Sequence, residues 1–311
     1  MTWLAWRQFR APALAGAICL AAFAVYLVVL GLQIRESADV GAFRTRLYVV
    51  DAVVLVAPGL LGVFWGAPLV SREFEAGTHR LVWSQSISRR RWLAVKLLVV
   101  GLGGMVAAGL LSALVTWAAG PYDEAVGDRF TALVFGARNL APVAYAGFAT
   151  VLGAVVGLVL RRSVPAMALT ILIFVVVQVA MPTLVRPHFG TPVTGTAPLT
   201  AQAVRNLTFL GADASIRGLQ VPGGWVVSTG GLLTAADEPV DRAAYNRCVL
   251  GGVDDTPDCL AALDLHVAAS YHPADRYWPF QLVESAIYAG LTLLLAALGG
   301  RLIRGRPRRG R

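Results

Sequence analysis

From Leu140 to Leu184 the chain reads LAPVAYAGFATVLGAVVGLVLRRSVPAMALTILIFVVVQVAMPTL. Two apolar runs, Leu140 to Leu160 and Val164 to Leu184, contain no charged side chain and are separated only by Arg161, Arg162 and Ser163. Each has the roughly 20 residues that a helix rising about 1.5 Å per residue needs to cross a hydrocarbon core about 30 Å thick. The rest of the chain repeats this pattern. Of 311 residues 57% are hydrophobic and 14% are charged, and the mean hydropathy is +0.64. Soluble domains carry about 45–50% apolar and about 25% charged residues, so the surplus has no soluble core to hold it and faces lipid.

Outward from this pair, four further stretches meet the same length criterion: Ala11 to Leu32, Val49 to Val70, Leu97 to Trp117 and Pro279 to Leu302. Asp51 interrupts the second span, while the sixth carries Glu284 near its start and Arg301 near its end. The first follows Arg7 and Arg10 as a signal peptide would, but its apolar run exceeds the roughly 7–15 residues of a signal core, so an uncleaved first helix is expected. With the N-terminus inside, the cytoplasmic segments collect sixteen basic residues against two acids, Glu73 and Glu75. The net charge of +9 is then a cytoplasmic excess, as the positive-inside rule requires, and no nucleic-acid partner is needed to explain it. The expected fold is an all-α polytopic membrane protein with six transmembrane helices and both termini cytoplasmic.

Beyond the spans, two terminal segments and one long loop stand out. Residues 1–10 place Trp3, Trp6 and Phe9 among Arg7 and Arg10, a pattern for an interfacial helix or an aromatic belt at the headgroups. Residues 185–278, between the fifth and sixth spans, are rich in Gly, Pro, Thr and Asp and form the sizeable extracytoplasmic loop. They hold Cys248 and Cys259, which that compartment permits to form a disulfide. Residues 303–311 are a basic cytoplasmic tail.

The sequence contains no phosphate-binding G-x-x-x-x-G-K-[ST] loop, H-E-x-x-H, G-x-S-x-G or dinucleotide glycine fingerprint. No catalytic residue or metal ligand is expected, and no cofactor in this chain. His266 and His272 fit neither a helical pair nor a finger, so a solvated loop is expected there. Ionisable groups within a membrane are the remaining functional candidates. Asp51 and Glu284 lie at similar depth near the outer starts of their spans. The readings open to them are an acidic rim at the exit of a path, a cation site, or contact with water or an arginine. Pro58-Gly59 disturbs the second span midway and can line a cavity. Gly153 to Gly157 is a G-x-x-x-G, which permits close helix contact.

The cytoplasmic segment 71–96 is more specific. Glu73 and Glu75 precede a Gly77-Thr78 break. Thr78 can cap a short helix carrying Leu81, Val82 and Trp83, and Ser88 can cap a second helix that runs through Trp92 and Lys96 into the third span. The run Glu73-Phe-Glu-Ala-Gly-Thr78, Leu81, Ile87-Ser-Arg89 and Lys96 resembles the loop of permease subunits in ATP-binding cassette exporters of the type-2 class. In that family the pattern is roughly E-x-E-x-G-T, leucines, a P-[VI]-S-R turn and a lysine; this chain has Ser86 in place of the proline, which leaves the turn less rigid.

The resemblance implies a transmembrane permease subunit of an ATP-driven exporter in a bacterial cell membrane. The short helix would be a coupling helix seated on a separate nucleotide-binding ATPase subunit, with ATP and Mg held by that partner. Glu73, Glu75, Gly77, Thr78, Arg80 and Leu81 would transmit its closure to the spans of residues 11–184 and 279–302. A second permease copy or a homologue would complete a dimer in the bilayer. The near absence of lysine, Lys96 alone among 27 basic residues, points to a GC-rich genome. Two other readings share the layout: a membrane-embedded enzyme using Asp51 and Glu284 on a lipid-linked substrate, and a sensor whose outer loop binds a ligand.

Overall fold

The computed structural model describes residues 2–78, 88–127, 129–211, 213–221, 223–250 and 255–303, with side chains from residue 14 onward except those of 15 and 126. The chain divides into two compact units. One comprises Met1–Ala125, Ala132–Arg186 and Phe280–Arg311, the other Val126–Thr131 and Pro187–Pro279.

The first unit opens with α1 (Thr2–Glu36), which continues without a break from the expected interfacial segment into the first span. The side chains of Trp3, Trp6, Arg7, Phe9 and Arg10 lie outside the described residues. Next come α2 (Arg44–Leu61) and α3 (Ala67–Glu75), joined by a π-turn at Gly62–Gly66, then α4 (Arg89–Val126) and the short α5 (Ala132–Ala137). α6 (Ala141–Leu160) and α7 (Ser163–Ala180) follow. Helix α6 is apolar on all sides and is buried almost throughout from Ala141 to Leu158, as an all-round hydrophobic helix must be when other helices surround it.

Small residues let α6 sit against the second span with almost no side chain between the backbones. A Cβ on Gly62 would lie 2.6 Å from Ala149 O, one on Gly66 2.5 Å from Thr150 O, and one on Gly157 2.5 Å from Ala67 O. Gly153 meets Gly62 O even more closely. The G-x-x-x-G of α6 therefore faces the π-turn, whose own G-x-x-x-G supplies the complementary surface. Pro58, buried four residues before that turn, withholds a helical hydrogen bond at the point where the register changes.

The second unit is built on a three-stranded antiparallel sheet in the order β1-β5-β4, and a separate two-stranded sheet pairs β2 with β3. In chain order its elements are β1 (Val193–Pro198), α8 (Ala201–Arg205), β2 (Phe209–Leu210), β3 (Ile216–Arg217), β4 (Trp225–Leu233), α9 (Arg242–Leu250), α10 (Thr256–Ala261) and β5 (His266–His272). Leu199, Ile216, Leu232, Tyr245, Leu260 and Val267 form its core. A disulfide between Cys248 and Cys259 ties α9 to α10, with Cα atoms 5.4 Å apart. Here the expectation of an all-α chain is corrected. Val267 and Ala269 of β5 are buried on either side of exposed Ala268, a strand pattern, but the partners of β5 lie far away in sequence, Val193 opposite Tyr271 and Thr229 opposite Ala269, so no local stretch announces the sheet. His266 and His272 are likewise not in a loop: both lie on β5, and His272 is fully buried.

The chain returns as α11 (Tyr277–Leu302). Among the described residues six helical stretches are long and apolar enough to span a membrane: Gly16–Glu36, Val40–Glu75, Arg89–Ala125, Ala141–Leu160, Ser163–His188 and Ala274–Leu302. The second and third are much longer than a bilayer requires. At about 1.5 Å per residue each reaches over 50 Å against a core of about 30 Å. Helix α4 passes through Pro121, where the sequence suggested an end after Trp117, and so delivers Asp123 to a buried partner.

Candidate functional site

The end of α3 carries the Glu73-Phe74-Glu75 run, and each of the three side chains grips a different part of the helical unit. Glu73 is buried and forms a salt bridge with Lys96 of α4, whose ammonium also donates to Leu69 O (3.1 Å) and lies 4.7 Å from the centre of the Trp92 ring. Phe74 lies under the Arg161 guanidinium, 5.5 Å from ring centre to Cζ. Glu75 is exposed but engaged: it accepts the Ser163 backbone N–H at 2.8 Å and the Ser163 hydroxyl at 2.7 Å. Ser71 Oγ lies 2.9 Å from the same hydroxyl while donating to Ala67 O.

The chain then leaves the helix through a stop that explains the glycine. Ala76 N–H donates to Arg72 O and Gly77 N–H to Phe74 O. Gly77 has φ +70, while a Cβ there would meet no atom of the described residues within 4 Å. Its left-handed backbone is what calls for glycine, as at the αL position that closes many helices. The Thr78 hydroxyl reaches back to Glu73 O at 3.5 Å. Its expected role as a cap belongs to the short helix over Leu81, Val82 and Trp83, which lies outside the described residues, as do Arg80, Ser86 and Ile87. On the far side Ser88 accepts from Arg91 N–H (3.4 Å) at the start of α4, as expected of its cap.

A family model described as "ABC-2 membrane transporter related" matches residues 40–186, which take in this loop and the four spans around it. The chain carries an ABC-2 type permease domain. It is a multi-pass membrane protein of the ABC transporter class, and its role is that of a transport permease. No curated protein and no solved structure gives a significant match.

The membrane carboxylates, Asp51 and Asp123 inside the matched residues and Glu284 beyond them, are buried against arginines. Asp51 receives Nε and Nη2 of Arg138 at 3.1 and 2.9 Å, and Asp123 receives Nη1 of the same guanidinium. Glu284 receives Nε and Nη2 of Arg186 at 2.8 and 3.0 Å and also the Tyr145 hydroxyl. Asp51 is 1% and Glu284 0% exposed, so among the described residues neither forms an open rim; of the readings open to them, contact with arginine is the one adopted. Gln281 joins the two clusters, accepting from Ala141 N–H (3.1 Å) and donating to Phe135 O (3.0 Å) and Arg138 O (3.4 Å), while Arg186 lies 3.9 Å over the Phe135 ring. Pro58 is buried in α2.

Sequence reasoning overlooked Ser163, Arg138, Asp123, Arg186 and Tyr145. The two arginines were legible in principle, because a carboxylate buried in a membrane demands a cation and these flank the nearest span ends. Ser163 carried a weaker signal. It begins a helix directly after two arginines, which have only donors to offer and cannot cap it.

Proposed function

We propose that this permease is the membrane half of an ATP-driven exporter, working with a separate nucleotide-binding ATPase subunit and with a second copy or a relative of itself. The carrying observation is the family match over 40–186, because the 71–96 loop falls inside it and its first helical end is tied to α4, the Arg161 turn and α7. A partner pressing on residues 79–87, with Arg80 and Leu81 among them, would act on the end of α3 where it holds those spans. ATP and Mg belong to the partner, which supplies energy by preferring one conformation of the permease over the other. The sidedness follows from charge: basic residues gather on the side of both termini and of the 71–96 loop, which would be the cytoplasmic face of a bacterial cell membrane. The disulfide in the second unit suits an oxidising, extracytoplasmic location.

Co-purification tests the reading. A phosphate-loop ATPase should accompany the tagged wild-type chain and be lost with Gly77→Pro, which cannot adopt φ +70, or with Arg80→Glu. Equal recovery of the ATPase with both variants would overturn the assignment of this loop.

A further inference from the structure

Resting on that coupling role, we propose that Glu75 is the positioning residue that makes the fifth span the element driven by the loop. Helix α7 begins at Ser163 with Arg162 as its N-cap residue, in extended conformation and with no side-chain cap hydrogen bond. A guanidinium offers only donors, so the helix lacks an acceptor of its own for its first N–H groups. Glu75 supplies it from another helix, taking the Ser163 N–H on one oxygen and its hydroxyl on the other. A carboxylate at a helix N-terminus is favoured by both the hydrogen bonds and the helix dipole.

The neighbouring helix is not free to respond in the same way. α6 is interlocked with the π-turn and Ala67 through Gly153 and Gly157. The link from α6 to α7 is only Arg161 and Arg162, and Arg161 is held in the left-handed region at φ +56, a natural pivot. Glu75 lies two helical turns beyond Ala67, at the last residue of α3 before the chain turns into 79–87. Displacing that end moves the first turn of α7 through Glu75, with α6 as the fixed frame.

The test uses the full chain in lipid nanodiscs, in a Cys19→Ala background with spin labels on Leu98→Cys of α4 and Val164→Cys of α7, both exposed positions. In the chain alone, Glu75→Ala should broaden and shift the label distance. Ser163→Ala, which keeps the backbone donor, should do so less, the double variant should match Glu75→Ala, and Ser163→Thr should behave as the parent. With the co-purified ATPase, MgATP and orthovanadate should shift the distance in the parent and leave it unshifted in Glu75→Ala while the ATPase stays bound. An unchanged distance in Glu75→Ala alone, or a nucleotide-driven shift that survives it, would overturn the inference. Absence of any co-purifying ATPase would instead overturn the coupling reading, with the cap itself judged by the first comparison.

Discussion

Arg138 and Asp51 meet as a fork on a fork: Nε and Nη2 of the guanidinium reach the two carboxylate oxygens, and both side chains are almost wholly buried. The remaining nitrogen, Nη1, goes to Asp123, so one arginine joins the second span, the far end of α4 and the approach to α6. Charges out of water are tolerable only with such geometry, because removing one partner leaves the other uncompensated. Arg138→Met withdraws the guanidinium from two carboxylates and should lower stability by about 3–5 kcal/mol. Asp51→Asn, which retains an acceptor for Arg138, should cost less. Unfolding of the purified protein in mixed micelles would measure both, and equal loss would show that Arg138 does not organise the cluster.

The interlock of α6 with the second span makes a prediction about volume. Gly157→Ala places a methyl group 2.5 Å from Ala67 O, which must force the helices apart and should cost about 1–3 kcal/mol. Gly290→Ala on α11, where a Cβ meets no atom of the described residues within 4 Å, should be neutral or gain up to about 1 kcal/mol from helix propensity. Parallel thermal unfolding of the two variants checks the contrast, which fails if Gly157→Ala is tolerated equally well.

The Cys248–Cys259 bridge closes a short loop, with a sequence separation of 11, in a unit with a modest core. Its removal by Cys248→Ser with Cys259→Ser should destabilise that unit by about 3 kcal/mol on the chain-entropy model. Limited proteolysis of the full protein should then cut first within residues 187–279, leaving the helical unit protected. Unaltered cleavage would mean that the core alone holds the unit.

His272 gives the second unit a pH dependence. Burial holds its imidazole below the usual histidine range, aided by the charge of Arg276, whose Nη1 lies 3.1 Å from Nδ1; the other nitrogen donates to Pro187 O at 3.3 Å. The folded state therefore binds a proton less readily than the unfolded one. The stability contribution is present above the unfolded value near pH 6.5 and is lost as pH falls toward the lower folded value. Hydrogen exchange across residues 266–272 should accelerate relative to the transmembrane helices between about pH 7 and pH 5.5, after correction for intrinsic rates. His272→Gln should flatten that dependence; if it persists in the variant, another group is responsible.

The apolar runs of this sequence determined six spans by themselves, because a bilayer imposes one length and forbids unpaired backbone, so Leu140 to Leu184 can only be a helical pair. The Gly77 helix stop was legible too, since the break follows from residue type and spacing within a few positions. Tertiary structure decided what depends on distant partners. Two strands at opposite ends of an eighty-residue stretch pair into one sheet, because register is a property of the assembled chain. The carboxylates, for which an exit rim, a cation site and contact with water or an arginine were all open, pair with Arg138 and Arg186, which only folding brings near. Glu75, which the sequence presents as a loop residue, becomes the cap of a helix 88 positions away because that helix begins with arginines that cannot cap themselves.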